Sequence, residues 1–399
     1  MSKQLQDAYI VAASRTPIGK APRGAFKNTR PDELLVHAIK STVAQVPGFD
    51  TKLIEDAIIG CAIPEAEQGL NVARMGALLA GLPQTVGGVT VNRFCASGIT
   101  ALAMAADRIR VGESDALLAG GCESMSMVPM MGNKPSMSPH IFDRNEDIGI
   151  AYGMGLTAER VADQWKVSRE DQDAFSVESH RKALAAQQAG EFADEIAPYT
   201  ITERFPNLAS GEIDVKTREI ALDEGPRADT SLEGLAKLRA VFANKGSVTA
   251  GNSSQTSDGA GALLVVSEKV LKQFNLTPLA RFVSFAVRGV PPEIMGIGPK
   301  EAIPAALKAA GLKQDDLDWI ELNEAFAAQS LAVIRDLGLD PSKVNPLGGA
   351  IALGHPLGAT GAIRAATVVH GLRRRNLKYG MVTMCVGTGM GAAGIIERL

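Results

Sequence analysis

Two cysteines stand where an apolar segment of the chain gives way to small residues, a pattern typical of a strand that turns sharply. Cys95 follows the apolar segment Val89–Val91 and precedes a run of small residues. Cys385 follows the apolar residues 381–384 and precedes the glycine-rich residues 387–391. A thiol at a helix N-terminus faces unpaired N–H groups and the positive end of the helix dipole, which lower its pKa. Cys95 is therefore a candidate nucleophile, and a small buried hydrophobic residue is the alternative.

A candidate base and a candidate hydrogen-bonding side chain lie in the same half of the chain as Cys385. His355 stands between a glycine and a proline, in a rigid turn that suits a general base. Asn323 follows the apolar segment Trp319–Leu322, and α/β sheets place ligands at the carboxyl ends of their strands. Asn323 is suited to orienting a water or donating to an oxyanion. The alternative is that it caps the helix that follows.

The elements that must position these side chains occur twice along the chain. The first half has a helix that begins at Pro31 and then an apolar strand at residues 57–62. The second half has a helix that begins at Gly298 and then a strand at Trp319–Leu322. In each half a helix of small residues and another apolar strand follow. This alternation predicts parallel sheets covered by helices on both faces, and the repeat predicts one layered α/β body.

Composition excludes several classes of protein. Hydrophobic residues make up 46% and charged residues 21% of the 399, which is enough to bury a sizeable core. The chain has 41 basic and 44 acidic residues, so its net charge is −3. It therefore lacks the overall positive charge that indicates nucleic-acid binding. Four cysteines are too few for a disulfide scaffold, and no paired Cys or His spacing indicates a metal site. Without a secretory signal or a long apolar stretch, we expect a cytoplasmic protein with no membrane span.

The chain resembles the thiolase family over nearly its whole length. Five motifs carry the resemblance, and they are N-R-F-C-A-S-G at residues 92–98, G-G-C-E-S-M-S at 120–126, N-E-A-F at 323–326, G-H-P at 354–356 and C-V-G at 385–387. The resemblance implies a layered αβαβα architecture of two similar halves with an inserted loop domain. It implies a first half at residues 1–121 plus 249–275, an insertion covering coenzyme A at 122–248, and a second half at 276–399.

The resemblance also implies roles for individual residues. Cys95 corresponds to the acylated nucleophile, His355 to its base and Cys385 to a second acid/base. Asn323 would hold a water in one oxyanion hole, and the backbone N–H groups of Cys95 and Gly387 would form the other. The positions that match the family's contacts to coenzyme A and the acyl group are Arg227, Ser254, Met154 and Phe326.

The family's substrates are coenzyme A and its acyl thioesters, without a tightly bound cofactor or metal. The resemblance implies a homodimer or homotetramer, with other β-oxidation enzymes as candidate partners. Many acetoacetyl-CoA-type thiolases have His-Met-Gly where this chain has Gly153-Met154-Gly155. The missing ring leaves more room for the acyl group, so we expect degradative cleavage of 3-ketoacyl-CoA in fatty-acid β-oxidation.

Three alternatives remain at this point. One is an acetoacetyl-CoA thiolase working in condensation. Another is a ketosynthase-like condensing enzyme, but such enzymes typically have a histidine where Cys385 stands. The third is a non-catalytic acyl-CoA carrier, which would be expected to lack Cys95 or His355, and this chain has both.

Overall fold

The computed structural model describes residues 5–399. Twelve strands lie within them, and these are β1 (Tyr9–Arg15), β2 (Gly19–Lys20), β3 (Asp56–Gly60), β4 (Val89–Val91), β5 (Ala116–Ser124), β6 (Tyr199–Pro206), β7 (Ile213–Ile220), β8 (Ser257–Val266), β9 (Ala280–Gly289), β10 (Trp319–Leu322), β11 (Tyr379–Val386) and β12 (Met390–Arg398). The α-helices are α1 (Pro31–Ala44), α2 (Val72–Leu79), α3 (Ser97–Arg110), α4 (Met154–Gln164), α5 (Arg169–Gln188), α6 (Leu232–Ala236), α7 (Glu268–Phe274), α8 (Gly298–Ala310), α9 (Ala327–Leu337), α10 (Ala350–Leu353) and α11 (Leu357–Arg374). The helices predicted to begin at Pro31 and Gly298 are thus confirmed.

Ten of the strands form one sheet in the order β10-β11-β12-β9-β1-β8-β5-β3-β4, with β2 paired to β8. The prediction of parallel sheets is wrong for the centre of this sheet. There β1, β8, β9 and β12 pair antiparallel, and only the pairs β3–β4, β3–β5 and β10–β11 are parallel. The physical reason is clear for β12, which follows β11 after a tight turn at residues 387–389, and a turn that short can join only antiparallel strands.

The helices form three layers around the two halves of the sheet. Helix α1 packs on the outer face of β1 and β8, and α8 packs on the outer face of β9 and β12. Helices α3 and α11 pack against each other and against strands of both halves, so they form the central layer. The halves of the sheet join where Tyr9 and Ile10 of β1 pair with Arg281 and Ala280 of β9. The predicted layered αβαβα architecture of two similar halves is confirmed.

The backbones of the two central helices, α3 and α11, are nearly in contact where the helices cross. A Cβ atom added to Gly98 of α3 would lie 2.6 Å from the backbone nitrogen of Ala362 in α11. A Cβ atom added to Gly361 of α11 would collide with the backbone nitrogen of Ile99 in α3. The small residues that the sequence shows in both helices are therefore needed for this close approach.

The insertion between the halves contains α4, α5, α6 and the hairpin β6–β7. It is tied to the first half by the fully buried Arg15. The guanidinium of Arg15 lies 2.6 Å from a carboxylate oxygen of Glu195 and 2.7 Å from one of Asp223. Strand β5 continues to Ser124, so an insertion that starts at residue 122 would begin inside that strand. Among residues 5–399, no helix has the length and apolar character needed to cross a membrane.

Replacing Gly361 with alanine is expected to destabilise the protein by about 1–3 kcal/mol, because the new methyl group overpacks a rigid backbone contact. This cost should exceed the gain of about 1 kcal/mol that alanine brings to a helix interior. Thermal unfolding followed by circular dichroism measures the effect. Gly153→Ala is the matched control, because a Cβ at Gly153 has no atom within 4 Å. Equal midpoints for the two variants would contradict the proposed tight crossing.

Candidate active site

Cys95 lies in a single 3-10 turn, Phe94–Ala96, that leads directly into α3. The side chain of Ser97 fixes this turn. Its hydroxyl accepts a hydrogen bond from the backbone N–H of Arg93 at 2.8 Å and donates one to the carbonyl of Phe94 at 2.7 Å. The predicted placement of Cys95 at the start of a helix is confirmed.

The expectation that this placement lowers the pKa of Cys95 is wrong. The thiol is 8% exposed, and burial raises its pKa to about 12. The backbone N–H groups of Gly387 and of Cys95 itself oppose this rise but do not outweigh it. Desolvation of the charged thiolate is thus the larger effect here. The thiol is protonated at neutral pH, and a base must remove its proton during the reaction.

Hydrogen bonds at the backbone and at both ring nitrogens hold His355 in one orientation. Its backbone N–H donates to Ser257 Oγ at 3.1 Å, and the preceding Gly354 has a φ of 97°, which glycine adopts without strain. Its ring nitrogens lie 2.6 Å (Nδ1) from Thr360 Oγ1 and 3.4 Å (Nε2) from Asn323 Nδ2. Because an amide nitrogen can only donate, Nε2 accepts and the proton is assigned to Nδ1. Nε2 therefore carries the lone pair of the ring, which accepts the long contact from Asn323 at rest and can take a proton as a base.

The electrostatic environment keeps His355 neutral. Burial and, to a smaller extent, the positive charge of Arg364 together lower the pKa of the imidazole to about 3. At neutral pH the ring is unprotonated, as a general base must be before the reaction.

Cys385 is the second-last residue of β11 and is fully buried. Burial raises the pKa of its thiol, and the neighbouring Cys95 adds to the rise. A negative charge on Cys95 therefore disfavours ionisation of Cys385. Gly387 follows in the turn to β12, and a Cβ there would lie 3.6 Å from the ring of Phe94 and 3.8 Å from the sulfur of Met154.

Asn323 does not cap the following helix. Helix α9 begins four residues later, and Gln329 caps it by accepting from the backbone N–H of Phe326 at 2.9 Å. Asn323 is instead buried beside His355, and within residues 5–399 its side-chain oxygen has no hydrogen-bond partner. An unpaired buried acceptor next to a base is suited to holding a water.

Cys95, His355 and Cys385 line a single cavity of about 560 Å³. Its other walls are largely apolar, and they include three of the residues chosen from the resemblance, namely Met154, Ser254 and Phe326. Asn323 and Gly387 do not line the cavity, but they contact its walls at His355 and Cys95. The structure thus brings together residues from both halves and from the insertion.

A second cavity, of about 420 Å³, shares Ser253 and Gln255 with the first. Its charged and titratable lining residues are Lys20, His180, Arg227 and Asp229; Asp229 lies 3.3 Å from the Arg227 guanidinium, so Lys20 is the cation left without that compensation and the cavity has a small excess of positive charge. The backbone N–H of Arg227 donates to His180 Nδ1 at 3.1 Å. Burial and the nearby Arg227 lower the pKa of His180 to about 4, so this ring is neutral and accepts that bond.

Sequence reasoning missed several residues of this region. Lys20 and His180 lie far from the catalytic motifs in sequence, and no neighbouring residues mark them as part of a site. Glu123 could have been found from the sequence, because it lies in the motif at residues 120–126. Its buried carboxylate accepts from the backbone N–H groups of Ala62 at 2.7 Å and Gly358 at 2.9 Å, which joins the first turn of α11 to the first half.

The chemistry of this arrangement is acyl transfer between thiols. One buried thiol can be deprotonated by a neutral imidazole and attack a carbonyl, and a second thiol can exchange a proton. Backbone N–H groups at the start of α3 and in the turn after β11 are available for an oxyanion.

Comparison with known proteins agrees with this chemistry. Two family models match, the thiolase N-terminal domain over residues 8–269 and the thiolase C-terminal domain over residues 276–398. The 3-ketoacyl-CoA thiolase of Bacillus subtilis (strain 168) is 50% identical over 395 residues, which is 98% of this chain and 100% of that protein.

Solved structures show the same fold. The Bacillus anthracis acetyl-CoA acetyltransferase matches with a TM-score of 0.89 at 40% identity, covering 100% of both chains. The dimeric peroxisomal thiolase of Saccharomyces cerevisiae matches with a TM-score of 0.87 at 42% identity, covering 99% of this chain and 98% of that one. The matches span both halves of the layered fold and the residues that line its cavity, and the chain belongs to the thiolase family.

Proposed function

We propose that this thiolase is a 3-ketoacyl-CoA thiolase, which cleaves 3-ketoacyl-CoA with free coenzyme A to acetyl-CoA and a shortened acyl-CoA. The observation that carries the proposal is one apolar cavity that contains two thiols and a neutral imidazole. The identity of 50% to a 3-ketoacyl-CoA thiolase along 98% of the chain supports the same substrate class.

In the first half-reaction, His355 Nε2 takes the proton of Cys95 and the resulting thiolate attacks the 3-keto carbon. The bond between C2 and C3 breaks, and its electron pair stays on C2. Cys385 donates its proton to C2, which releases acetyl-CoA and leaves the acyl group on Cys95. His355 is then an imidazolium and Cys385 a thiolate.

In the second half-reaction, the Cys385 thiolate takes the proton of the incoming coenzyme A thiol. The coenzyme A thiolate attacks the acyl-enzyme carbonyl, and Cys95 leaves as a thiolate that regains its proton from His355. The starting protonation states are thereby restored. Burial, which raises the thiol pKa of both cysteines, favours proton return at the end of each cycle.

Two groups of donors are suited to the oxyanions of these steps. A water held by Asn323 beside His355 would serve one, and the backbone N–H groups of Cys95 and Gly387 would serve the other. The N–H groups of Cys95 and Gly387 lie close enough to the Cys95 sulfur to lower its pKa, so they are beside the place where a carbonyl bonded to that sulfur would carry its negative oxygen.

Coenzyme A is a substrate in this proposal, and the mechanism requires no bound cofactor. The basic cavity with Lys20 and Arg227 suits its phosphates, and the shared wall at Ser253 and Gln255 leads from there to Cys95. Ser254 lines the cavity that contains the Cys95 thiol. We propose that residues 122–248 form an inserted domain that covers coenzyme A. The two halves of the fold are then residues 1–121 plus 249–275 and residues 276–399.

We also propose that the chain forms a homodimer through the edge strand β4. This strand ends the sheet, so one side of its backbone is free to pair with a second copy. Exposed apolar side chains beside it, Leu70, Leu79 and Val89, would be covered by such pairing. The Saccharomyces cerevisiae thiolase is a dimer by its description. The four free cysteines suit the reducing cytoplasm, where we propose the protein resides.

An acetoacetyl-CoA thiolase is the second candidate, favoured by the likeness to the acetyl-CoA acetyltransferase of Bacillus anthracis. Position 153 argues for the first candidate. Gly153 lines the cavity, and a Cβ there would meet no atom within 4 Å. The space beside the acyl group is therefore open.

Replacing Cys385 with alanine tests the proposed mechanism. Thiolysis of a 3-ketoacyl-CoA is expected to fall about 10²–10⁴-fold, because the protonation of C2 loses its acid. Exchange of an acyl group between a simple acyl-CoA and coenzyme A needs no proton at C2, and the proton that Cys385 takes from coenzyme A there can pass to water instead, so exchange should fall less. The rates of both reactions, measured by absorbance and by isotope exchange, make the comparison. Equal losses in the two assays would exclude protonation of C2 as the step that depends on Cys385.

Replacing Gly153 with histidine tests the chain-length assignment. The ring is expected to fill the open space, so kcat/KM should fall more steeply for a ten-carbon substrate than for acetoacetyl-CoA, by about fourfold for each methylene group displaced. Gly153→Ala is the control, because one methyl group leaves most of the space open. If wild type already cleaves only acetoacetyl-CoA, the second candidate function is correct instead.

A further inference from the structure

Arg364 is a charged residue in an unusual position. It lies in the second turn of α11 and is 2% exposed, so its guanidinium is removed from water. Its contacts are few for a buried cation. Nη2 lies 3.5 Å from the carbonyl oxygen of Gly354, Nε lies 3.9 Å from a carboxylate oxygen of Glu321, and within residues 5–399 Nη1 has no hydrogen-bond partner.

The two partners of Arg364 connect it to the active site. Gly354 immediately precedes His355, and side chains in a helix lean toward its N-terminus, which brings this guanidinium back to the turn. Glu321 lies on β10, two residues before Asn323. Arg364 therefore contacts the peptide that carries the base and the strand that carries the base's amide partner.

The charge of Arg364 is only partly compensated. Glu321 is fully buried, and burial raises the pKa of its carboxyl to about 7 against the opposing effect of Arg364. Near neutral pH this carboxyl is therefore not fully ionised. The charge of Arg364 therefore still lowers the pKa of the His355 imidazole, and it disfavours the imidazolium form of the ring.

The ion pair with Glu321 alone does not explain why Arg364 is buried. A buried ion pair contributes little to stability relative to apolar side chains of similar volume, and removal of one partner is costly. The nearby Arg15 shows what a fully satisfied buried guanidinium looks like, with carboxylate oxygens of Glu195 and Asp223 at 2.6 and 2.7 Å. Arg364 lacks such partners and faces the His355 turn instead.

We propose that Arg364 is a positioning residue for the general base, in which its guanidinium holds the Gly354 carbonyl and keeps the His355 imidazole neutral and in place. The proposal rests on the proposed role of His355 as the base that activates Cys95. The ionisable groups around the imidazole and its turn are Cys95 before α3, Cys385 on β11, Glu123 on β5, Glu321 on β10, Glu324 just after β10, and Arg364 itself. Arg364 is the one cation among them.

The experiment separates this role from a contribution to folding. Arg364→Met alone leaves the carboxyl of Glu321 buried without a cation, so it is expected to unfold at a lower temperature. In Arg364→Met/Glu321→Gln both charges are absent, and the thermal midpoint should return close to that of wild type. Arg364→Lys keeps the charge, and Arg108→Met removes a guanidinium from a partly exposed pair with Asp56 as a control.

In the stable double variant, kcat for thiolysis is expected to fall up to about 10²-fold with KM little changed, since the base is displaced while the coenzyme A contacts are intact. The acid limb of kcat/KM should move to higher pH, because a ring without a neighbouring cation is protonated more easily. Arg364→Lys should keep the acid limb of wild type and recover part of kcat.

A second readout needs no substrate. The rate at which iodoacetamide alkylates Cys95 reports its deprotonation by His355, and it should fall in the double variant and not in Arg108→Met. A double variant with the thermal midpoint, kcat, acid limb and alkylation rate of wild type would overturn the proposal. Absence of thiolysis in wild type would instead refute the proposed function, and the alkylation rates would still decide the role of Arg364.

Discussion

The close crossing of α3 and α11 is the constraint on which the rest of the structure depends. Each helix begins two residues after a functional residue, which is Cys95 for α3 and His355 for α11. Because Gly98 and Gly361 let the two backbones nearly touch, these helix starts come together although 260 residues separate them in sequence. Glu123 strengthens the arrangement by binding the first turn of α11 to the first half. The cavity is thus a consequence of how two similar halves pack.

Burial determines how the site is charged at rest. The same close packing that joins the halves excludes water, so it raises the thiol pKa of Cys95 to about 12 and lowers the imidazole pKa of His355 to about 3. The resting pair is therefore neutral, and the proton moves only when a carbonyl accepts the developing charge. Preorganised N–H groups stabilise that charge without rearrangement, which is the main electrostatic source of catalysis in such sites. Arg364 contributes to the same balance from behind the base.

Much of the fold and most of the candidate site could be predicted from sequence because their signals are local. The helices at Pro31 and Gly298 and the strand Trp319–Leu322 follow from short patterns, and Cys95 lies at a helix start as predicted. The strand directions at the centre of the sheet could not be predicted, since pairing depends on distant segments. Lys20, His180 and Arg364 were missed for the same reason. The pKa of Cys95 was predicted with the wrong sign, because the local pattern shows the helix dipole and not the burial that outweighs it.

We propose that packing of the two halves makes Cys95, and no other thiol, the acyl acceptor. The most direct measurement is mass spectrometry of the protein after incubation with a 3-ketoacyl-CoA in the absence of free coenzyme A, followed by peptide mapping under conditions that preserve thioesters. The account predicts one acyl group per chain, on the peptide that contains Cys95, and its release when coenzyme A is added. An acyl group on Cys385, Cys61 or Cys122, or one on Cys95 that coenzyme A does not remove, would contradict it.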